Sequence, residues 1–474
     1  MPRIMRRLLA PALVSTFLFA APRAALAQAA PPPPAAPATE VPPPPSVDDA
    51  MIAPVPRAKV EVGTWEVALQ YVRAHSTDLR VAALAVERAE AQQRVALAGA
   101  LPTLNGTGAF THQLLTKDSV QPIGLGAGGV QYKTFTSPAS DYFTGQLVAT
   151  QPLLALRAWH NIGTARVATD ASRLSFEDAK RLIALSVANS IVGVVTAERI
   201  AELNRVGLVN ALQRLELTSR KTALGGGTGL DVIRARQDVE VARATLVAGD
   251  ESLRQAREAL GLALGLPSQV GVPTNVDISG LERDARATCK PVTTVDERSD
   301  VAALNTQVDI AHRNITDVKY QFAPVVNLQS ALSTTTTDTG SSPNTTWNVQ
   351  AVLTVPLWEG GARYGNLRDA HAQEAIADQK LEAGRRTAII QVEQARRGVT
   401  VAESSRRVAS AARDLAAETD RLVRIAYQEG RGTSLELITA AQALREAEIQ
   451  LALRDFEVVK SRVLAVLALA SCPW

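Results

Sequence analysis

Aromatic side chains are scarce in this 474-residue chain, at 4%, although hydrophobic residues reach 46%. Alanine carries much of the apolar content. Small apolar side chains suit closely packed long helices better than one large globular core. The five histidines, His75, His112, His160, His312 and His371, are scattered, and no two stand at a metal-ligand spacing. Packing or surface roles are expected for them, with no metal and no cofactor. No Gly-Lys-Ser/Thr phosphate loop occurs. GLGAGG at 124–129 lies between strand patterns with no helix start after it, so it is not read as a dinucleotide loop. Enzymatic readings therefore find little support, and any energy must come from a partner. Net charge is only +3, with no basic-plus-aromatic platform, so no nucleic-acid partner is expected.

Only two cysteines are present, Cys289 and Cys472. The first residues suggest an exported chain. Arg3, Arg6 and Arg7 precede an apolar stretch, and Ala25-Leu26-Ala27 offers a small-residue cleavage site. Residues 1–27 are thus expected to be a signal peptide. A membrane anchor is the alternative, but Pro11 breaks the stretch and it is short of the ~20 residues a span needs. Exported cysteines meet an oxidising compartment, which predicts a disulfide between Cys289 and Cys472. Two unpaired thiols remain the alternative, because sequence does not give their separation. Residues 28–62 open with a Pro/Ala-rich segment, read as an extended linker with no packing role of its own.

Beyond the linker, the chain repeats itself. TALGGGTGLDVIRARQ at 222–237 matches YQEGRGTSLELITAAQ at 427–442 through Gly227/Gly432, Thr228/Thr433, Leu230/Leu435, Ile233/Ile438, Ala235/Ala440 and Gln237/Gln442. Pro102-x-x-Asn105 matches Pro324-x-x-Asn327, and Gln151-Pro152-Leu153 matches Val355-Pro356-Leu357. Such a duplication implies one supersecondary unit used twice. The expected units are residues 63–266 and 298–474, joined by a linker over 267–297. Repeat 1 carries the longer insert between its first two landmarks, and inserts map to loops.

Within each unit, two segments alternate apolar and polar residues, the mark of a strand with two unlike faces. Leu104, Gly106, Gly108 and Phe110 share one face, opposite Asn105, Thr107 and Thr111. Phe143, Leu147 and Ala149 oppose Thr144, Gln146 and Thr150. In repeat 2, Trp347, Val349, Ala351, Leu353 and Val355 oppose Asn348, Gln350 and Thr354. The segments between strands read as polar loops. Phe110, Phe143 and Trp347 stand near the loop end of their strands, where a membrane strand places its aromatics. A soluble hairpin with one buried face explains alternation equally well. Long proline-free helical patterns follow, over about 157–222 and 361–428. Ala388, Ala395, Ala402, Ala409, Ala416 and Val423 stand seven apart, and Val401, Val408, Leu415 and Leu422 form an adjacent stripe. Seven-residue spacing implies supercoiling against neighbours. Glycine clusters then turn each long helix into a returning one. The uncharged run Leu182–Ala197 is too short for a span and is read as a buried helix contact.

Four strands per chain do not close a barrel, and open edges are not tolerated in lipid. If the strands enter a membrane, chains must pool them. LPTLNG at 101–106, TVPLWEGG at 354–361 and YQEGRGTSLELITAAQ at 427–442 carry a resemblance to the TolC family of outer-membrane channel proteins. The resemblance spans nearly all of 63–470. It implies a mainly α fold with a small membrane β-barrel: a homotrimer whose helical hairpins form a periplasmic α-barrel below a 12-stranded β-barrel in outer-membrane lipid. It also implies an exit duct for drug efflux or type I secretion, with a periplasmic adaptor and an inner-membrane transporter as partners. A soluble coiled-coil spacer or adhesin stalk is the competing reading. The resemblance further places a periplasmic constriction after the second turn. Glu436 keeps one of two acidic positions there, and Thr439 departs at the other. Tyr427 and Asp231 correspond to a latch pair, while Gly432 replaces the arginine that helps it; Tyr427→Phe is then expected to raise conductance. Thr228-x-x-Asp231 and Thr433-x-x-Glu436 also read as capping boxes, a structural role for the same carboxylates.

Overall fold

The computed structural model describes residues 45–112, 114–115, 117–126, 128–137, 141–274, 280–336 and 344–474. The expected signal peptide lies outside them, as does most of the Pro/Ala-rich segment. Repeat 1 runs through β1 (Val60–Glu61), α1 (Trp65–His75), α2 (Thr77–Ala98), β2 (Thr103–His112), β3 (Lys117–Gly126) and β4 (Gly129–Ser137). It continues with β5 (Asp141–Leu154), α3 (Leu156–Ala223), α4 (Gly229–Ala263) and β6 (Val270–Gly271). The connection holds α5 (Leu281–Thr288) and β7 (Lys290–Pro291). Repeat 2 comprises α6 (Ser299–Lys319), β8 (Val325–Thr335), β9 (Thr345–Thr354), α7 (Ala362–Gln428), α8 (Ser434–Leu467) and β10 (Ala470–Ser471).

The first helical pattern is two helices, not one. Ser76 ends α1 with an extended backbone and caps α2, its hydroxyl accepting from the Leu79 amide at 3.2 Å. The long helices α3 and α7, of 68 and 67 residues, each extend ~100 Å at 1.5 Å per residue. Most of the stability of such helices comes from tertiary packing along their length rather than from propensity. By length and composition α3 could cross a membrane. Its Ala184, Val187, Ala188, Ile191, Val192 and Val194 instead form a core with α1, the ends of α4 and α8, and α5. The α7 alanine stripe is buried at Ala388, Ala395 and Ala402 and half-buried beyond, whereas Val401, Val408, Leu415 and Leu422 are exposed.

The junction between repeats is pinned at both chain ends. β1 pairs in parallel with β6, and β10 pairs antiparallel with β7. Cys289 and Cys472 are bonded beside that second pair, with Cα atoms 4.1 Å apart. Arg298, 2% exposed, donates to Asp300 at 2.7 Å, to Gln391 at 3.0 Å and to the Ala468 carbonyl at 3.3 Å. One guanidinium thereby ties α6, α7 and the end of α8 together.

Two sequence expectations need correction. The last part of the linker packs: Met51 and Ile52 lie on Leu208, Ala211, Val239, Ala242 and Leu246 of the α3–α4 hairpin. Asp49 pairs with Arg243 at 2.7 Å, and Arg257 donates to the Pro56 carbonyl at 2.7 Å. Proline content marked the segment as extended, but Ala50–Ile52 form a short 3-10 turn, capped by Asp49, that presents Met51 and Ile52 to the helices. Secondly, the insert of repeat 1 is not a plain polar loop. It holds the β3–β4 hairpin, a two-stranded sheet of its own.

The remaining long strands form one antiparallel sheet in the order β2-β5-β8-β9. Its register places Phe110 opposite Phe143, Leu147 opposite Leu332, and Leu332 opposite Trp347. Cross-strand partners share a face, so Leu104, Phe110, Phe143, Leu147, Leu332, Trp347, Val349 and Leu353 all lie on one side. That side is open: Phe110, Trp347 and Leu104 are 68%, 74% and 72% exposed. The other face is polar, with Gln350 donating to Gln329 at 3.1 Å and Ser333 bonded to Thr346 at 2.7 Å. Pro152 falls at an irregularity in the β5–β8 register, where a missing amide costs least.

Candidate functional site at the helical turns

The two turns between long and returning helices are built alike. Each long helix unwinds at a glycine with positive φ, Gly225 (81°) or Gly430 (80°). The following amides close the turn back onto the helix, Gly226 to the Lys221 carbonyl at 3.0 Å and Arg431 to the Ala426 carbonyl at 2.9 Å. A capping box then starts the return. Thr228 caps α4 and Thr433 caps α8, while Asp231 and Glu436 accept from the capping residues' own amides at 3.0 and 2.9 Å. Gly432 sits tight in the second turn; a Cβ there would come within 3.0 Å of the Tyr427 nitrogen.

Beyond capping, the two carboxylates differ. The Ser434 hydroxyl donates to the other oxygen of Asp231, so Asp231 links the two turns. That bond, with those from the Thr228 amide and hydroxyl, holds its carboxyl below the usual carboxylate range. The Thr433 amide and hydroxyl lower Glu436 likewise. Glu436 is fully exposed at the tip and free to present charge to solvent.

Within this chain Tyr427 meets Lys221, and Asp231 meets Ser434. Lys221 of α3 lies over the Tyr427 ring, 4.0 Å from its centroid, and donates to the Tyr427 carbonyl at 3.1 Å. Asp231 is taken by Ser434. Two turns higher, Asp238 of α4 is buried and accepts from Arg214 of α3 at 3.2 Å and from Gln442 of α8 at 2.8 Å. Three contacts therefore join the α3–α4 hairpin to the α7–α8 hairpin: Asp231–Ser434, Lys221–Tyr427 and Asp238–Gln442. Lys221, Ser434, Asp238 and Gln442 were not singled out from sequence. Gln442 was visible as half of a repeated pair, but its partner sits on another helix at no fixed spacing. Phe110, Phe143 and Trp347 lie far from the turns in sequence, on the open face of the sheet. Cys289 and Cys472 lie at the junction of the repeats.

The sequence profile of the family described as outer membrane efflux protein matches residues 68–266 and 291–466. The chain belongs to that family. An efflux-family chain with an open-edged sheet and an exposed apolar face is an outer-membrane channel subunit, which sets aside the soluble-stalk reading. Among sequence relatives, nodulation protein T of Rhizobium leguminosarum bv. trifolii is 26% identical over 394 residues, covering 79% of this chain and 78% of the relative. The cation efflux system protein CusC of Escherichia coli is 24% identical over 380 residues, covering 78% of each. Among solved structures, CusC superimposes with a TM-score of 0.72 at 20% identity, covering 90% of this efflux protein and 99% of CusC. VceC of Vibrio cholerae gives 0.69 at 18% identity, covering 86% and 96%. The helical body with its four-stranded sheet is thus the fold of these outer-membrane channels.

Proposed function

We propose that three copies of this efflux protein pool their sheets into a 12-stranded barrel and their helical hairpins into a periplasmic tunnel. The observation that carries the reading is the sheet itself. It exposes one apolar face, turns a polar face the other way, and among the described residues leaves the edges of β2 and β9 unpaired. In lipid those edges must be closed by neighbouring copies. The exposed α7 stripe of Val401, Val408, Leu415 and Leu422 continues the same contact down the tunnel. Detergent-extracted protein should run as a heat-modifiable trimer that forms conducting pores in planar bilayers; a soluble monomer would overturn the assembly.

The turns close the periplasmic end. Three Glu436 carboxylates would form a negative ring, which favours cations. Asp231–Ser434, Lys221–Tyr427 and Asp238–Gln442 hold the second hairpin against the first and act as the latch. With Gly432 where the resemblance expects an arginine, the latch lies within each subunit. The channel supplies the exit path, and an inner-membrane transporter coupled through a periplasmic adaptor supplies the energy. Relatives are named for toluene efflux and for cation efflux, so proteins of this family serve more than one cargo class.

A further inference from the structure

Beside the Asp238–Gln442 contact lies a cavity of about 90 Å3 between α3, α7 and α8, and the function above leaves it unused. Arg445 of α8 enters it across Gly207 of α3, where a Cβ would come within 2.7 Å of the Arg445 Cδ and 3.3 Å of its Nη1. Gly207 is buried in the interior of the 68-residue α3. Glycine weakens a helix interior; here its missing side chain makes a notch for the Arg445 stem. The guanidinium at the end of that stem has no hydrogen bond or ion pair among the described residues. Asp420 of α7, at the same cavity, is 4% exposed. Its Oδ2 accepts from Arg424 at 2.7 Å, while its Oδ1 is buried with no donor. Arg214, which also lines the cavity, is held by Asp238. A bare buried carboxylate oxygen is costly, and a guanidinium is the donor that fits it best.

We propose that Arg445 is a two-position switch of the periplasmic entrance. With the hairpins packed, its stem sits in the Gly207 notch; when α8 leaves α3, its guanidinium turns to the bare Oδ1 of Asp420. The switch rests on the reading of the hairpin contacts as the latch. Arg445 and Asp420 belong to the same α7–α8 hairpin, so they move together. Their heights agree as well. Arg462 of α8 donates to Glu403 of α7 at 2.7 Å, which sets the register of these antiparallel helices. Asp420 and Arg445 lie equally far along the chain from that pair, toward the turn, and so stand at one level. No other carboxylate at the cavity has a bare buried oxygen among the described residues. The duplication supplies a comparison. At the offset that relates the two turns, Gly207, Asp420 and Arg445 correspond to Ala412, Leu215 and Glu240. Notch, acceptor and arginine therefore occur once each, at the seam between α3 and α8 that the latch holds. The packed state keeps an unsatisfied charge that the released state satisfies, which narrows the free-energy gap between the two.

The test uses full-length protein in planar bilayers, with assembly and helix content checked for every variant. Gly207→Ala fills the notch and should raise the open-to-closed ratio. Asp420→Asn removes the second position and should lower that ratio, by about tenfold for a lost charge-assisted hydrogen bond. In an Arg445→Ala background neither substitution should have an effect. Shifts in the same direction, or a Gly207→Ala effect that survives Arg445→Ala, would overturn the switch, because a merely structural role loosens the closed packing in every variant. If Gly207→Ala does not assemble, Asp420→Asn decides alone, and an unchanged or raised ratio rejects the proposal. Failure of the latch reads differently. With the latch sound and the switch wrong, Ser434→Ala still raises conductance while Gly207→Ala and Asp420→Asn do not separate. If Ser434→Ala leaves conductance unchanged, the latch fails and the switch with it.

Discussion

Asp231, at the start of α4, accepts a hydrogen bond from the Ser434 hydroxyl at the start of α8, so the tips of the two hairpins are tied by one short contact. The same carboxylate caps its own helix through Thr228. Ser434→Ala removes the tie and leaves the cap. It is expected to raise channel conductance without lowering helix content, as read by bilayer recordings and circular dichroism. The pH dependence follows from the sign of the shift. Because the folded state holds the Asp231 carboxyl below its ordinary 3.8, its contribution is full above that value and is lost only as pH falls through the lower folded one. Conductance should therefore not change through this residue between about pH 7 and pH 5.

Glu436→Gln separates charge from capping. A Gln oxygen can still accept from the Thr433 amide, so the turn should persist. Cation preference, measured as a reversal potential across a salt gradient, should fall. An unchanged preference would rule out the carboxylate ring.

For Tyr427 the contact within the chain leads to a different outcome. Lys221 holds the ring face and the main-chain carbonyl, both of which Phe retains. Tyr427→Phe should leave conductance unchanged. Lys221→Met should raise it, because it removes a contact worth about 1–2 kcal/mol. Gln442→Ala should act in the same direction, since it deprives buried Asp238 of a donor.

Cys472→Ser should lower the melting temperature of the detergent-solubilised protein while sparing pore formation. The bond closes a loop of 183 residues, for which chain entropy allows up to about 5 kcal/mol. Denatured, non-reduced wild-type protein should show no reactive thiol.

Much of this fold is legible because its signals are local and occur twice. The limits of α3 and α7, the glycine turns and the capping boxes follow from proline, glycine and Thr-x-x-acid patterns that act within a few residues. The apolar strand face is legible because side chains alternate, and the duplicate copy preserved which face was apolar. The β3–β4 hairpin was missed because glycine and polar residues mask its alternation, and the duplicate has no counterpart to compare. The packing of Met51 and Ile52 was missed because a proline-rich approach says nothing about the groove that receives it.

The sequence by itself determined the repeated unit, the long helices, the strands of the four-stranded sheet and the positions of Asp231, Glu436 and Tyr427 at the turns. Tertiary structure alone decided their partners. Lys221 meets Tyr427, Ser434 meets Asp231, and Gln442 meets Asp238 across gaps of roughly 200 residues. Periodicity fixes which way a side chain faces along its own helix. Which side chain it meets depends on how two hairpins pack, and no spacing along the chain encodes that.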